Sequence, residues 1–264
     1  MRASSGPATK VFRVLIRGSA FVCLACLCLA DCLLHGALRK LDAASRPRIL
    51  QRWSKRILSC IKVHVWVLGP TPAQGLIVSN HLSYLDILVL SSVAHCMFVS
   101  KSEVKSWPLV GWIARMTGTV FVDRGRPSQT NRPQEEMQER LKAGAPLVLF
   151  PEGTSTDGRQ MLPFLSSLFE AVIELGAPVT AAHVSYELAE GDGDPATDIC
   201  YWGEMTLFPH FIKLLTKTSV KVTVRFSSQP KIFGDRKQAA LEMQREVAEL
   251  GNSVANSPQM ALQQ

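Results

Sequence analysis

The sequence predicts an α/β fold: a layered domain with a mostly central β-sheet flanked by helices, preceded by an N-terminal helical membrane anchor. Three observations predict it. Short apolar runs bounded by turn residues alternate with helical patterns, and a long apolar run near the N-terminus precedes them. At 264 residues, 47% of them hydrophobic, the chain can form one domain with a full core plus an appendage.

Six apolar runs are predicted to be strands. They are residues 75–79, 97–100, 119–122, 146–150, 179–184 and 220–226. The helical patterns between and after them cover residues 84–93, 134–143, 166–175 and 236–250. We expect the main domain to cover 67–250, followed by a polar tail over 251–264.

The N-terminal region is predicted to hold a tail, residues 1–17, and a membrane-embedded segment, residues 18–66. Between 18 and 38 the only charged residue is Asp31, and this length suits either a spanning helix or a shorter embedded one. Asp31 would be costly at the bilayer centre, but near the helix end it reaches an interface. A cleaved signal peptide is the alternative, because basic residues precede the apolar core; the basic segment that follows argues against it.

The second half of this segment predicts a basic amphipathic helix, in which Ile49, Trp53, Ile57 and Ile61 recur every four residues. Residues 39–62 hold eight Lys or Arg and one acid, which accounts for the formal net charge of +7. Charge concentrated in this way excludes a general nucleic-acid binder and favours an anionic membrane surface as partner. The alternative is a helix packed on the domain with a solvated basic face. By the positive-inside tendency, we expect the domain on the cytoplasmic side of the cell inner membrane.

The seven cysteines predict neither a disulfide framework nor a metal centre. Their number is odd, and four of them lie within the N-terminal apolar run. Cys23 and Cys26 have a C-x-x-C spacing, but no second Cys or His pair stands at metal-ligand distance. We therefore expect no metal and no cofactor.

A histidine and a carboxylate stand five residues apart directly after the first predicted strand, in the motif Asn-His-Leu-Ser-Tyr-Leu-Asp at 80–86. On one regular helix, His81 and Asp86 would point away from each other. The pair can meet if Ser83 caps the helix, so that Asp86 falls at the third helical position and folds back toward the ring. Asp86 would then hold one imidazole nitrogen as N–H and leave the other free to take a proton from a hydroxyl. The alternative is that Ser83 and Asp86 form only a helix cap.

Two further motifs follow strands. The sequence Phe-Pro-Glu-Gly-Thr at 150–154 opens a loop in which Gly153 lets backbone N–H groups approach a ligand and Glu152 can orient polar groups. Asp123 and Arg124 directly follow the predicted strand 119–122. The Arg124 guanidinium suits an anionic head group or a phosphorylated acyl donor. A surface ion pair is the alternative for Arg124.

These three motifs, in their order and spacing along the chain, resemble those of the glycerolipid acyltransferase family, which includes 1-acylglycerol-3-phosphate acyltransferases. The resemblance covers about residues 61–233. It implies that His81 is the catalytic base and Asp86 the acid that orients it. The substrate-binding residues that it implies are Asn80, Arg124, Glu152, Gly153 and Thr154.

The chain departs from the family pattern at two positions. Ser155 stands where the family usually has Arg, and Ala181 where it usually has Pro. Losing one cation weakens the case for a bare phosphate on the acceptor. Together with residues 166–170 and 201–203, Ser155 is similar to the branch that contains lyso-ornithine lipid acyltransferases.

The resemblance implies an O-acyltransferase that moves a fatty acyl group from acyl carrier protein or acyl-CoA to the free hydroxyl of a lysolipid. It makes 1-acylglycerol-3-phosphate, in phospholipid biosynthesis, the first expected acceptor, with lyso-ornithine lipid or another lysophospholipid as alternatives. Two other classes compete: a serine lipid hydrolase, for which the sequence lacks a Gly-x-Ser-x-Gly motif, and a non-catalytic membrane-bound lipid-binding protein.

Overall fold

The computed structural model describes residues 6–38, 42, 44–107, 110–122 and 132–252. The helices are α1 (Pro7–Ala37), α2 (Ser45–Cys60), α3 (Leu85–Val93), α4 (Val110–Met116), α5 (Arg132–Lys142), α6 (Glu170–Leu175), α7 (Pro195–Asp198), α8 (Leu207–Thr216) and α9 (Arg236–Asn252). The strands are β1 (Val63–Leu68), β2 (Leu76–Ser79), β3 (Met97–Lys101), β4 (Val120–Val122), β5 (Leu147–Leu149), β6 (Val179–Leu188) and β7 (Val220–Phe226). Two 3-10 turns cover Ser102–Ser106 and Ser166–Phe169.

One seven-stranded sheet organises the domain, in the order β1-β7-β6-β2-β5-β3-β4. The five strands from β6 to β4 run parallel, whereas β7 is antiparallel to β6 and parallel to β1. Parallel strands end at the same edge of a sheet, and ligands of such sheets bind in the loops beyond those ends. The loops after β2, β5, β3 and β4 therefore share one edge.

Helices cover both faces of the sheet. On one face, α2, α3 and α8 bury apolar side chains against alternate strand residues such as Ile77, Val148 and Val184. On the other face, α5, α6 and α9 pack against Leu76 and Leu147. The alternation follows from the two-residue period of a strand, so each central strand contributes to both apolar layers. The predicted layered α/β fold is confirmed.

The six predicted strands are present as β2 to β7, and the predicted helices are present, with 166–175 divided into a 3-10 turn and α6. The predicted start of the domain at residue 67 is wrong, because β1 already pairs with β7 from Val63. Lys62 separates α2 from β1 with a φ of 60°, a left-handed conformation that is uncommon for a residue with a side chain. No Gly, Pro or Asn marks this junction in the sequence, which is why the strand was not predicted.

The predicted N-terminal tail is also corrected: the chain is helical from Pro7, where proline suits the first turn of a helix. Tertiary contacts explain the longer helix. The guanidinium groups of Arg13 and Arg17 donate to backbone carbonyls at the C-terminal end of α8. Further along α1, Cys28 and Cys32 pack against Trp53 of α2.

Asp31, the acid within the apolar run, is paired with α2. Its carboxylate accepts hydrogen bonds from the Arg52 guanidinium and, at 2.8 Å, from the Trp53 indole N–H. Asp31, for which an interfacial position was predicted, therefore has hydrogen-bond partners within the protein itself. Within the described residues, α1 is the one helix long and apolar enough to cross a membrane.

Candidate active site

The two motifs that the sequence separates by about seventy residues meet at the shared edge of the sheet. Asn80 and His81 follow β2 directly, and Phe150 follows β5, its parallel neighbour. The backbone carbonyl of His81 accepts a hydrogen bond from the Thr156 N–H at 2.9 Å. The His81 and Phe150 rings stack with centroids 4.2 Å apart. The order of the strands thus brings both loops into one site.

His81 and Asp86 form the predicted contact. The ring nitrogen Nδ1 of His81 lies 2.8 Å from Oδ2 of Asp86, whose side chain is completely buried. The same oxygen accepts the backbone N–H groups of Leu82 and Ser83, at 2.7 and 2.9 Å. The carboxylate therefore holds the turn and the imidazole ring together. Helix α3 begins at Leu85, so His81 lies outside the helix, as its contact with Asp86 requires.

The expected side-chain cap by Ser83 is not found among the described residues. Tyr84, with helical backbone angles, occupies the cap position, and no group in the described part of the chain hydrogen-bonds to the buried hydroxyl of Ser83. The returning half of a capping box is present, in which the Asp86 carboxylate accepts the Ser83 N–H. The same carboxylate contacts His81, so one side chain serves both the start of the helix and the imidazole ring.

The second ring nitrogen of His81, Nε2, is available to a substrate. An ionised carboxylate only accepts hydrogen bonds, so Asp86 keeps the proton on Nδ1 and leaves the Nε2 lone pair free. No group in the described part of the chain hydrogen-bonds to Nε2, and the side chain is 22% exposed. The ring therefore presents a proton acceptor to the outside of the site while its other edge is held.

Glu152 supports the backbone of the turn that carries His81. Its two carboxylate oxygens accept the N–H groups of His81, at 3.0 Å, and Leu162, at 2.9 Å. Burial raises the pKa of Glu152, and these two N–H donors oppose that shift by favouring the ionised form. Gly153 adopts a φ of 79° beside it, and Thr154 is exposed. Glu152 thus acts on His81 itself, a contact that the sequence did not predict.

Asn80, predicted to bind substrate, instead links two strands. Its amide nitrogen donates to the Val184 carbonyl at 2.9 Å, and its amide oxygen accepts the Val184 N–H at 2.8 Å. The residue is 4% exposed. Both polar atoms of the side chain are engaged with β6, so the structure gives Asn80 a scaffolding role at the end of β2 in place of the predicted substrate contact.

Arg124 lies outside the described residues; the strand that precedes it, β4, ends at Val122 at the same edge of the sheet. Within the described parts of the chain, no group of three or more His, Cys, Asp or Glu side chains has an arrangement that could hold a metal ion.

Sequence reasoning missed two neighbours of the turn that carries His81. Tyr186 of β6 donates its hydroxyl to Oδ1 of Asp86. Tyr201, in the loop before α8, donates its backbone N–H to the Leu82 carbonyl at 2.8 Å and accepts the Ser155 hydroxyl at its own carbonyl. The first contact depends on the placement of β6 beside β2 and the second on the path of the loop after α7, and the sequence around these residues predicts neither contact.

The fold and the site together define a membrane-associated acyltransferase. A histidine held by a buried carboxylate stands beside a Pro-Glu-Gly turn at the strand ends, and a long apolar helix packs along the same domain. A scan against family models agrees, since the model described as Acyltransferase matches residues 61–185.

Comparison with curated proteins identifies relatives of the same class. The lyso-ornithine lipid O-acyltransferase of Rhodobacter capsulatus is 36% identical over 224 residues, covering 77% of this chain and 76% of the relative. The 1-acyl-sn-glycerol-3-phosphate acyltransferase of Neisseria meningitidis is 32% identical over 155 residues, covering 56% and 61%. This chain belongs to the acyltransferase family and is an acyltransferase.

The fold has a match among solved structures. The crystal structure of the 1-acyl-sn-glycerophosphate acyltransferase from Thermotoga maritima superposes with a TM-score of 0.68 at 21% identity. The match covers 95% of this chain and all of that one. This match concerns the fold. Family membership, which rests on the family model and the relatives above, supports the predicted transferase over the serine hydrolase and the non-catalytic binding protein.

Proposed function

We propose that this enzyme transfers a fatty acyl group from a thioester, acyl carrier protein or acyl-CoA, to the free hydroxyl of a lysolipid in membrane lipid synthesis. The observation that carries the proposal is Nε2 of His81, which lies on a ring held by Asp86 and accepts no hydrogen bond from the described residues. Trp202 follows Tyr201, whose backbone N–H bonds to the Leu82 carbonyl, and it is 38% exposed. Phe208, in the first turn of α8, is 74% exposed.

The chemistry needs one base and a set of backbone donors. His81 Nε2 takes the proton of the acceptor hydroxyl, and the oxygen attacks the thioester carbonyl, so that a C–O bond forms and the C–S bond breaks. The thiolate leaves with the proton that His81 returns. We assign stabilisation of the intermediate oxyanion to backbone N–H groups of the turn around Gly153, whose left-handed conformation opens that backbone to a ligand. Thr154 and Arg124 are the residues that we assign to the substrate head group.

Lyso-ornithine lipid is the acceptor that the observations favour. The lyso-ornithine lipid O-acyltransferase of Rhodobacter capsulatus aligns with 77% of this chain, whereas the 1-acyl-sn-glycerol-3-phosphate acyltransferase of Neisseria meningitidis aligns with 56% of it. Residue 155 is a serine whose hydroxyl is engaged with the Tyr201 carbonyl, so this position provides no positive charge for a phosphate. Acylation of 1-acylglycerol-3-phosphate is the second candidate, because the Neisseria relatives carry that name.

A direct competition assay tests the acceptor. Purified protein is given one acyl thioester and equal concentrations of lyso-ornithine lipid and 1-acylglycerol-3-phosphate, and the two products are measured by mass spectrometry. We expect the diacylated ornithine lipid to dominate. Dominance of phosphatidic acid would support the second candidate, and ester formation on neither lipid would contradict the proposed function.

Replacing Glu152 with glutamine should lower the turnover number without preventing folding. An amide offers one acceptor oxygen, so either the His81 or the Leu162 N–H faces an NH₂ group. We expect kcat to fall by about ten-fold, since one hydrogen bond that positions His81 is lost. Glu174→Gln is the control, because Glu174 lies on α6 and, among the described residues, hydrogen-bonds to the Gln138 side chain and not to His81 or Leu162. Equal kcat values for Glu152→Gln and the control would refute the supporting role.

Helix α1 is proposed to lie embedded in one leaflet on the cytoplasmic side of the inner membrane. Its contacts with the domain extend from Arg13 to Asp31, about 27 Å of helix. A spanning helix crosses about 30 Å of hydrocarbon, so a spanning α1 would draw the domain into the bilayer. Its free face instead exposes apolar side chains. They are Phe12, Leu15, Ile16, Val22, Leu27, Leu33 and Leu34. The exposed basic residues of α2 beside it suit anionic lipid.

A glutamate at Ile16 should weaken membrane binding. Ile16 is 53% exposed on the free face of α1, and a charge there opposes insertion into hydrocarbon. We expect at least about ten-fold weaker binding to phosphatidylglycerol-containing vesicles in flotation assays. Leu241→Glu is the matched control, since Leu241 is 71% exposed on α9, which covers the opposite face of the sheet. Equal vesicle binding by the two variants would contradict the proposed surface.

A further inference from the structure

The two oxygens of the Asp86 carboxylate have different partners. Oδ2 accepts three donors, all within the catalytic turn: the His81 ring and the backbone N–H groups of Leu82 and Ser83. Oδ1 accepts the hydroxyl of Tyr186, which comes from β6, about one hundred residues further along the chain. Within the described residues, Tyr186 is the one donor to Oδ1. The orientation of the carboxylate plane therefore depends on a residue outside both sequence motifs.

The position of Tyr186 is fixed by the sheet. Asn80, next to His81, bonds to both backbone polar groups of Val184 and so sets the register between β2 and β6. Tyr186 follows two residues later and therefore points to the same face of the sheet as Val184. On this face it packs in the apolar cluster that also contains Leu85 of α3. The Asn80 link and the Tyr186 hydroxyl thus join the catalytic turn to one strand.

The surroundings keep Tyr186 in the donor form. Asp86 is completely buried and Tyr186 is 8% exposed, so neither group has ready access to water as a substitute partner. Burial, followed by the neighbouring Asp86 carboxylate, raises the pKa of Tyr186 well above its usual value. The phenol therefore keeps its proton over the whole pH range in which an enzyme is assayed. A buried carboxylate oxygen without this donor would be left unpaired, which is costly.

We propose that Tyr186 is a positioning residue for acyl transfer, which holds Oδ1 of Asp86 so that Oδ2 faces the His81 ring. The proposal rests on the general-base role of His81. Tyr186 lies behind the carboxylate and does not touch the reacting atoms; it acts on the base through Asp86. Two consequences follow: a loss of the hydroxyl should alter the proton-transfer step, and it should leave substrate binding nearly unchanged.

The test is Tyr186→Phe, with Ser227→Ala as the control. The Ser227 side chain is also a buried hydroxyl that donates to a carboxylate, but its acceptor is Glu246 of α9, the helix on the opposite face of the sheet. For Tyr186→Phe we expect kcat to fall by about ten-fold while KM changes by less than about two-fold. Ser227→Ala should show neither change.

The pH profile separates positioning from a purely structural role. The Tyr186 hydroxyl withdraws negative charge from Asp86; without it, the carboxylate stabilises the protonated imidazolium more strongly. The acid limb of kcat should therefore move to higher pH in Tyr186→Phe, by about half a unit to one unit. Unchanged kcat and an unchanged acid limb would overturn the proposal. Equal losses in both variants with no shift of the limb would also overturn it, because that result indicates packing alone.

A second readout needs no substrate and so stays informative if the proposed acceptor is wrong. The protein is labelled with ¹⁵N-histidine, and the His81 signals are assigned by their loss in His81→Ala. We expect the His81 titration midpoint to rise in Tyr186→Phe and to stay unchanged in Ser227→Ala. An identical His81 titration in wild type and Tyr186→Phe would overturn the positioning role, whatever acceptor the enzyme uses.

Discussion

Replacing His81 with alanine is expected to lower kcat for thioester-dependent lysolipid acylation by about 10³-fold, the usual contribution of a positioned general base. The physical reason is that Nε2 is the available proton acceptor on the ring that Asp86 holds. Binding of the acceptor should change little, since the lost atoms act on the hydroxyl proton. The measurement is the steady-state rate of ester formation, with kcat and KM determined separately.

His183→Ala is the control for this variant. His183 lies on β6, one residue before Val184. Its ring points to the face of the sheet that α9 covers and lies next to Gly251 of that helix. Burial, with a smaller contribution from Arg225, lowers the pKa of His183 to about 4, so this imidazole is neutral in the assay. We expect wild-type kcat from His183→Ala. Comparable activity in the two alanine variants would contradict the assignment of His81 as the base.

The second large effect is expected at Asp86, where two substitutions separate charge from geometry. In Asp86→Asn, the amide oxygen can still accept the Leu82 and Ser83 N–H groups and the His81 ring, with the NH₂ group turned toward the Tyr186 oxygen. The turn then keeps its shape, but the imidazolium loses its counter-charge. We expect kcat to fall by about 10²-fold with a small loss of stability.

In Asp86→Ala the acceptor is missing altogether, and the donors that it served are left buried without partners. Such a loss costs about 3 kcal/mol or more and should lower the melting temperature by about 6 °C or more. Thermal unfolding followed by circular dichroism measures the difference between the variants. If Asp86→Asn and Asp86→Ala unfolded at the same temperature, the carboxylate would not hold the turn as the structure describes.

The His81 and Asp86 contact could be predicted from the sequence because both residues belong to one turn. Helix geometry alone excludes a contact five residues apart within a helix, so the histidine had to lie outside it. The central strands could be predicted for a similar local reason, since each is a short apolar run between turn residues. Ser83 shows the limit of such rules, because its spacing from Asp86 predicts a serine cap, whereas Tyr84 occupies the cap position in the structure.

Contacts that depend on strand order could not be predicted. Glu152 reaches the His81 N–H only because β5 lies beside β2. Asn80 reaches Val184, and Tyr186 reaches Asp86, only because β6 lies on the other side of β2. The apolar pattern of a strand is the same whichever strand is its neighbour. The packing of α1 along the domain could not be predicted either. Arg13 donates to a carbonyl of α8, a short helix that the sequence pattern does not predict.

We infer that His81 promotes direct transfer of the acyl group from thioester to lysolipid. A single-turnover reaction with a radiolabelled acyl thioester tests this transfer, first without and then with the lysolipid acceptor, in wild type and His81→Ala. We predict that wild type forms neither labelled protein nor free fatty acid until the acceptor is added, and then forms one ester per thiol released. His81→Ala should bind both substrates and transfer about 10³-fold more slowly. Label on the protein, or transfer by His81→Ala at the wild-type rate, would contradict the claim.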